Sequence, residues 1–80
     1  MYQVFRSVND PKFTAYNCSL PRKFWTEREA LRNMWDNIEY NELEEIEVGY
    51  GYKNGKLMCT VRACGKNKYG DFVYYEVRAV

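Results

Sequence analysis

The pair Asn54-Gly55 constrains this chain more than any other two residues. Asn-Gly is the strongest short-range signal for a two-residue hairpin turn, because both central positions need positive φ. The residues on either side alternate with a period of two, so counting outward from the turn sets a register. Lys53 then faces Lys56, Tyr52 faces Leu57, Tyr50 faces Cys59, Val48 faces Val61 and Ile46 faces Ala63. The last four of these pairs form one apolar face. The other face pairs Gly51 with Met58, Gly49 with Thr60, Glu47 with Arg62 and Glu45 with Cys64. An apolar side opposite a side with a Glu-to-Arg cross-strand pair is what a half-buried hairpin requires.

Upstream, WTEREALRNMWDNIEY reads as a helix. Thr26 and Glu29 have capping-box spacing, Trp25 is placed to staple the entrance, and Ala30, Leu31, Met34, Trp35 and Ile38 share a stripe. Downstream, GKNKYGD is a longer turn into FVYYEVRAV, a strand with Val73, Tyr75 and Val77 on the core face and Phe72, Tyr74, Glu76 and Arg78 outward. YQVFRSV and FTAYNCS read as two further strands joined at NDPK, a turn containing Pro11. The expected fold is α+β in two layers, one helix on a mainly antiparallel sheet, in the order β-β-α-β-β-β. Residues 1–80 are expected to form a single domain.

A chain of 80 residues buries a modest fraction of its surface. Eight Tyr, four Phe and two Trp supply large apolar areas, so the aromatic richness is first a matter of packing. Three cysteines without a CxxC pair point to reduced thiols. With no basic leader and no long apolar run, the expectation is a cytoplasmic protein that starts at Met1 and does not engage a membrane. The net charge of +1 conceals an uneven distribution. Residues 1–26 set four bases against Asp10, 27–47 set eight acids against Arg28 and Arg32, and 48–80 set six bases against Asp71 and Glu76. Such a balance gives little support for strong non-specific DNA binding.

Catalytic chemistry finds little to use. The absence of histidine removes the commonest general base near neutral pH and the commonest metal ligand. Cys59 is expected on the core face as an inert thiol, and Cys64 on the other face with no base beside it. The run Glu42, Glu44, Glu45, Glu47 could hold a hard cation, but it reads more simply as a solvated stretch near Lys66 and Lys68. Lys53 and Lys56, and Lys66 and Lys68, fall on turns at opposite ends of one strand pair and do not line a groove. The expectation is a non-enzymatic chain with no cofactor and no metal.

GYGYK resembles the middle of the RNA-recognition-motif signature, with Tyr50 and Tyr52 at its aromatic positions and Val48 where that family has a basic residue. In that family the aromatics point away from the helices. Here the opposite face of the strand would be Glu45, Glu47, Gly49 and Gly51, which cannot form a core, so Tyr50 and Tyr52 are expected to point inward. The helix-free face should then carry Gly49, Gly51, Met58, Thr60, Arg62, Phe72, Tyr74 and Arg78, and all of these except Thr60 are the candidate partner-binding residues. Aromatic, Met and Arg side chains together are enriched at protein interfaces.

Three functions fit such a face: a protein-binding module, a single-stranded nucleic-acid binder using its aromatics and arginines, and a homodimer that packs two open faces together. In size and architecture the chain is similar to small phage-encoded proteins that block host defence or takeover targets, anti-CRISPR proteins among them. The resemblance implies stoichiometric inhibition of a larger protein or ribonucleoprotein complex in a bacterial cytoplasm.

Overall fold

The computed structural model describes residues 1–15 and 18–80. Strands β1 (Tyr2–Val8) and β2 (Ser19–Phe24) precede helix α1 (Glu27–Tyr40), and β3 (Glu44–Lys53), β4 (Lys56–Lys66) and β5 (Phe72–Ala79) follow it. The fold is α+β, with all five strands in one antiparallel sheet of order β2-β1-β5-β4-β3.

The helix begins where the capping box puts it. Thr26 Oγ1 accepts the Glu29 backbone N–H at 3.2 Å and donates to Glu29 Oε1 at 3.0 Å. Ala30, Met34 and Ile38 are buried and Leu31 packs beside them, whereas Trp25 is 78% exposed and does not staple the start. At the other end Asn41 Nδ2 donates to the Asn37 carbonyl, and the chain turns to bury Leu43. Gly65 makes room for that residue, since a Cβ there would lie 2.9 Å from Leu43 Cβ. Val4, Phe24, Ala63, Val73, Tyr75 and Val77 complete the core, and the Tyr75 hydroxyl donates to Asn37 Oδ1 on α1. Burial pushes the Tyr75 phenol pKa up.

The second strand is not FTAYNCS. Residues 10–15 instead form a loop held by the Asp10 carboxylate, which accepts the N–H groups of Thr14 at 2.7 Å and Ala15 at 2.9 Å; these bonds hold its pKa low. The strand starts at Ser19, and Tyr16 and Asn17 of the expected segment lie outside the described residues.

Asn54 and Gly55 have φ of 52° and 77°, and the first two pairs, Lys53 with Lys56 and Tyr52 with Leu57, are those counted from the turn. The ladder then departs from simple counting. Gly51 pairs with Cys59 and Gly49 with Arg62, which leaves one extra β4 residue in each interval. Both are bulges, which insert a residue and change the register without interrupting the apolar alternation in a way composition reveals. Val48 therefore faces Ala63, Glu47 faces Cys64 and not Arg62, and Arg62 lies across from Glu76 on β5. A third bulge at Glu45, with φ of 53°, returns Glu44 to Lys66. Cys59 is buried as expected, but on the helix-free side: it sits outside the core cluster, with its Sγ over Gly51.

Tyr50 and Tyr52 are the largest correction. Alternation keeps them on the helix side of the sheet, yet they are 69% and 65% exposed. A helix is about 10 Å wide, whereas the outer axes of five strands lie roughly 19 Å apart. One helix cannot cover such a sheet. α1 lies over β1, β5 and β2, and the outer hairpin projects past it with Ile46, Val48 and Leu57 exposed beside the tyrosines.

Candidate protein-binding surface

On the helix-free side, β5 presents Phe72, Tyr74, Glu76 and Arg78, β4 presents Arg62, Cys64 and Lys66, and β1 presents Phe5 opposite Glu76. Glu76 lies at the centre and is 8% exposed. Its carboxylate is 2.5 Å from Arg78 Nη2 and 3.6 Å from Arg62 Nε. The Arg78 guanidinium lies 4.1 Å from the Phe5 ring centroid and 5.2 Å from that of Phe13. Arg62 lies 5.7 Å from the Tyr74 centroid and 5.9 Å from Phe13, and it donates to the Pro11 carbonyl. The β1–β2 loop thus folds Pro11 and Phe13 over the middle of this face, where cation–π contact and a shared counter-charge hold both arginines. About a third of each arginine side chain still meets solvent, at 34% for Arg62 and 32% for Arg78.

Met58 and Phe72, each about half exposed, flank this array. Gly49 floors a groove of about 310 Å³ whose walls include Glu47, Arg62, Cys64 and Tyr74. A Cβ at Gly49 would meet nothing within 4 Å, so the glycine leaves the groove open. Burial, and then the Glu47 carboxylate, push the Cys64 thiol up, against opposing pulls from Tyr74 and Arg62. Burial and Glu76 do the same to Cys59. Neither thiol is activated as a nucleophile at neutral pH.

Six of the seven candidate residues, Gly49, Met58, Arg62, Phe72, Tyr74 and Arg78, present surface here, and Gly51 is buried beneath Cys59. Phe5, Phe13 and the central role of Glu76 were not foreseen. Alternation in YQVFRSV does set Phe5 opposite Val4 in facing, but nothing local says that β1 pairs with β5. A second cleft, about 620 Å³, lies where α1 ends, between Arg6, Tyr40, Glu42, Lys68 and Tyr69, and it mixes both charge signs. Among the described residues, no three His, Cys, Asp or Glu side chains gather to hold a metal ion, and no helix is long and apolar enough to cross a membrane.

The fold and site define a small α+β domain with a preset Arg-aromatic patch on the helix-free face of its sheet. Comparison with protein-family models, with curated proteins and with solved structures gave no match.

Proposed function

We propose that this chain is a non-enzymatic protein-binding module that captures a larger protein through its helix-free face. The observation that carries this reading is the Arg62–Glu76–Arg78 array. Two arginines are already fixed by ring stacking and a buried carboxylate, with Met58, Phe72 and Tyr74 around them. Side chains ordered before association lose less entropy on binding, and Arg and Tyr dominate interface hot spots. The similarity in size and architecture to phage-encoded inhibitors, anti-CRISPR proteins included, supplies the partner class: a bacterial protein or ribonucleoprotein, bound one to one in the cytoplasm.

Glu76 also favours a protein partner over single-stranded nucleic acid. It neutralises part of the arginine charge at the centre of the face, and Glu47 adds a second negative group beside the groove. Phosphate contacts would need those charges free. Capture from a bacterial lysate by the immobilised chain, compared with a Phe72→Ser/Tyr74→Ser variant, tests the proposal. The parent should retain a partner that resists moderate salt and nuclease, and the folded variant should lose it. Equal capture by both chains refutes the surface, and binding to oligonucleotide that collapses with salt refutes the partner class.

A further inference from the structure

The two edges of the sheet are unlike. β2 is short and carries Pro21, Arg22 and Lys23, the features that blunt an edge against further pairing. β3 is ten residues long, has no proline, and has no strand on its outer side. On the helix side it leaves Ile46, Val48, Tyr50 and Tyr52 between 39% and 69% exposed. A long apolar edge of this kind is a template for strand addition.

The charges of β3 select the strand that fits. Its start is acidic, with Glu44, Glu45 and Glu47, and its end is basic, with Lys53 beside the turn. A strand with this polarity complements an antiparallel copy of itself. We infer that two copies of this chain associate edge to edge through β3, antiparallel about a two-fold axis at Gly49, forming one continuous ten-stranded sheet.

The bulge at Glu45 and the turn at Asn54 bound the usable edge, and Gly49 lies midway between Ile46 and Tyr52. In that register Val48 meets the second copy's Tyr50, Ile46 meets its Tyr52, Glu47 meets its Gly51, and Glu45 meets its Lys53. Apolar pairs gather on the helix side, and the two Glu45–Lys53 pairs lie at the ends of the contact, beside the bulge and the turn. Centring the axis on Glu47 would instead set that carboxylate against its own copy. Centring it on Tyr50 would leave Ile46 against the turn residue Asn54. The contact is isologous and closes as a dimer.

The contact runs along the outer edge of β3 and adjoins the Arg62–Tyr74 patch only at Glu47 and Gly49, so the inference does not rest on the proposed capture function. If both hold, the dimer presents the patch twice on one side of a continuous sheet, which would raise avidity for a repeated or dimeric target.

Sedimentation across the micromolar range, with circular dichroism to confirm folding, tests the association. The parent chain should reach a dimer mass. Glu45→Lys should weaken association roughly tenfold to a hundredfold, because two attractive pairs per dimer become repulsive. The exchange Glu45→Lys/Lys53→Glu should restore it. Gly49→Cys should form a disulfide between the two copies at position 49 on mild oxidation, identified by peptide mapping, because directly opposed strand residues lie within disulfide reach. A parent chain that stays monomeric throughout the range overturns the proposal. So does a dimer that is indifferent to Glu45→Lys and gives no 49–49 disulfide; that outcome would assign self-association to another surface.

Discussion

The glycines of Gly49-Tyr50-Gly51 sit two residues apart on the same face of β3, yet alanine should act oppositely at the two. At Gly51 a Cβ would lie 2.2 Å from Cys59 Sγ, far inside the ~3.5 Å at which two heavy atoms make contact. Cys59 is 4% exposed, so its sulfur can escape only by turning about χ1 out of its present cover, or the strands must part. Overpacking of this kind costs about 1–3 kcal/mol. The smaller unfolded-state entropy of alanine offsets about 0.4–1 kcal/mol of that. A net loss of about 1–2 kcal/mol should lower Tm by roughly 4–16 °C in a domain of this size. Gly49→Ala meets nothing within 4 Å and, with no positive φ at this position, should stabilise by about 0.4–1 kcal/mol.

Cys59→Ala supplies the internal control. Alone it should cost about 1 kcal/mol for the lost buried sulfur. Once the sulfur is gone, Gly51→Ala should be neutral or stabilising, so the double-mutant cycle should show a favourable coupling of about 1–3 kcal/mol. Urea unfolding at fixed protein concentration reads all four stabilities, with an unchanged m value as the check that only stability moved. The reasoning fails if Gly51→Ala costs the same with and without Cys59, or if Gly49→Ala is equally damaging.

Glu76→Gln removes the shared counter-charge of Arg62 and Arg78 and should destabilise by about 1.5–3 kcal/mol; denaturant titration measures this, and a loss under ~0.5 kcal/mol would show that the rings alone hold the arginines. Tyr75→Phe deletes the hydroxyl donor to Asn37 at the α1–β5 contact and should cost about 1–2 kcal/mol in the same assay with the helix content unchanged. Cys59, Cys64 and Tyr75 all have acid pKa values raised in the folded chain, above 9.0 for the thiols and 10.0 for the phenol, so folding holds their protons more tightly than the unfolded chain does. Stability from these groups is complete below pH 9 and falls as pH rises past 9 and then 10, which a series of melts in alkaline buffers should show; a flat alkaline limb would contradict the burial of Cys59 and Tyr75 and the partial burial of Cys64.

What could be read from sequence was local or periodic. Thr26 and Glu29 start the helix, Asn54-Gly55 makes the turn, and Val73, Tyr75 and Val77 face the core, each set by a few neighbouring residues. The loss of the expected Glu47–Arg62 pair was not readable because it depends on two bulges in β4, and a bulge moves a partner without altering the alternation that announces a strand. The Arg62–Glu76 pair belongs to the regular β4–β5 ladder, whose register is set across the longer turn at 67–71 and not by a two-residue hairpin. Tyr50 and Tyr52 failed for a different reason. Period-two patterning tells which side of a sheet a residue takes, but whether that side is covered depends on how far the helix reaches. The dimensions of one helix against five strands already imply a bare strip. Its location required the strand order, which places β3 at the far edge from β2.

That bare strip bears on how the stability of this domain should be measured. If β3 edges pair, each folded chain is stabilised by its copy, and apparent stability becomes a function of concentration. A tenfold rise in protein concentration contributes about 1.4 kcal/mol per dimer, or about 0.7 kcal/mol per chain, and so should raise Tm by roughly 3–6 °C. A lone chain would show no such slope. The charge variant Glu45→Lys should flatten the slope toward zero while leaving the dilute-limit Tm nearly unchanged, since Glu45 is exposed and has no ion-pair partner within its own chain among the described residues. Phe72→Ser/Tyr74→Ser should leave the slope intact, because those side chains lie on β5, the central strand, with β4 between it and the β3 edge. A slope that persists in Glu45→Lys and vanishes in Phe72→Ser/Tyr74→Ser would move self-association to the helix-free face and take the partner-binding reading of that face with it.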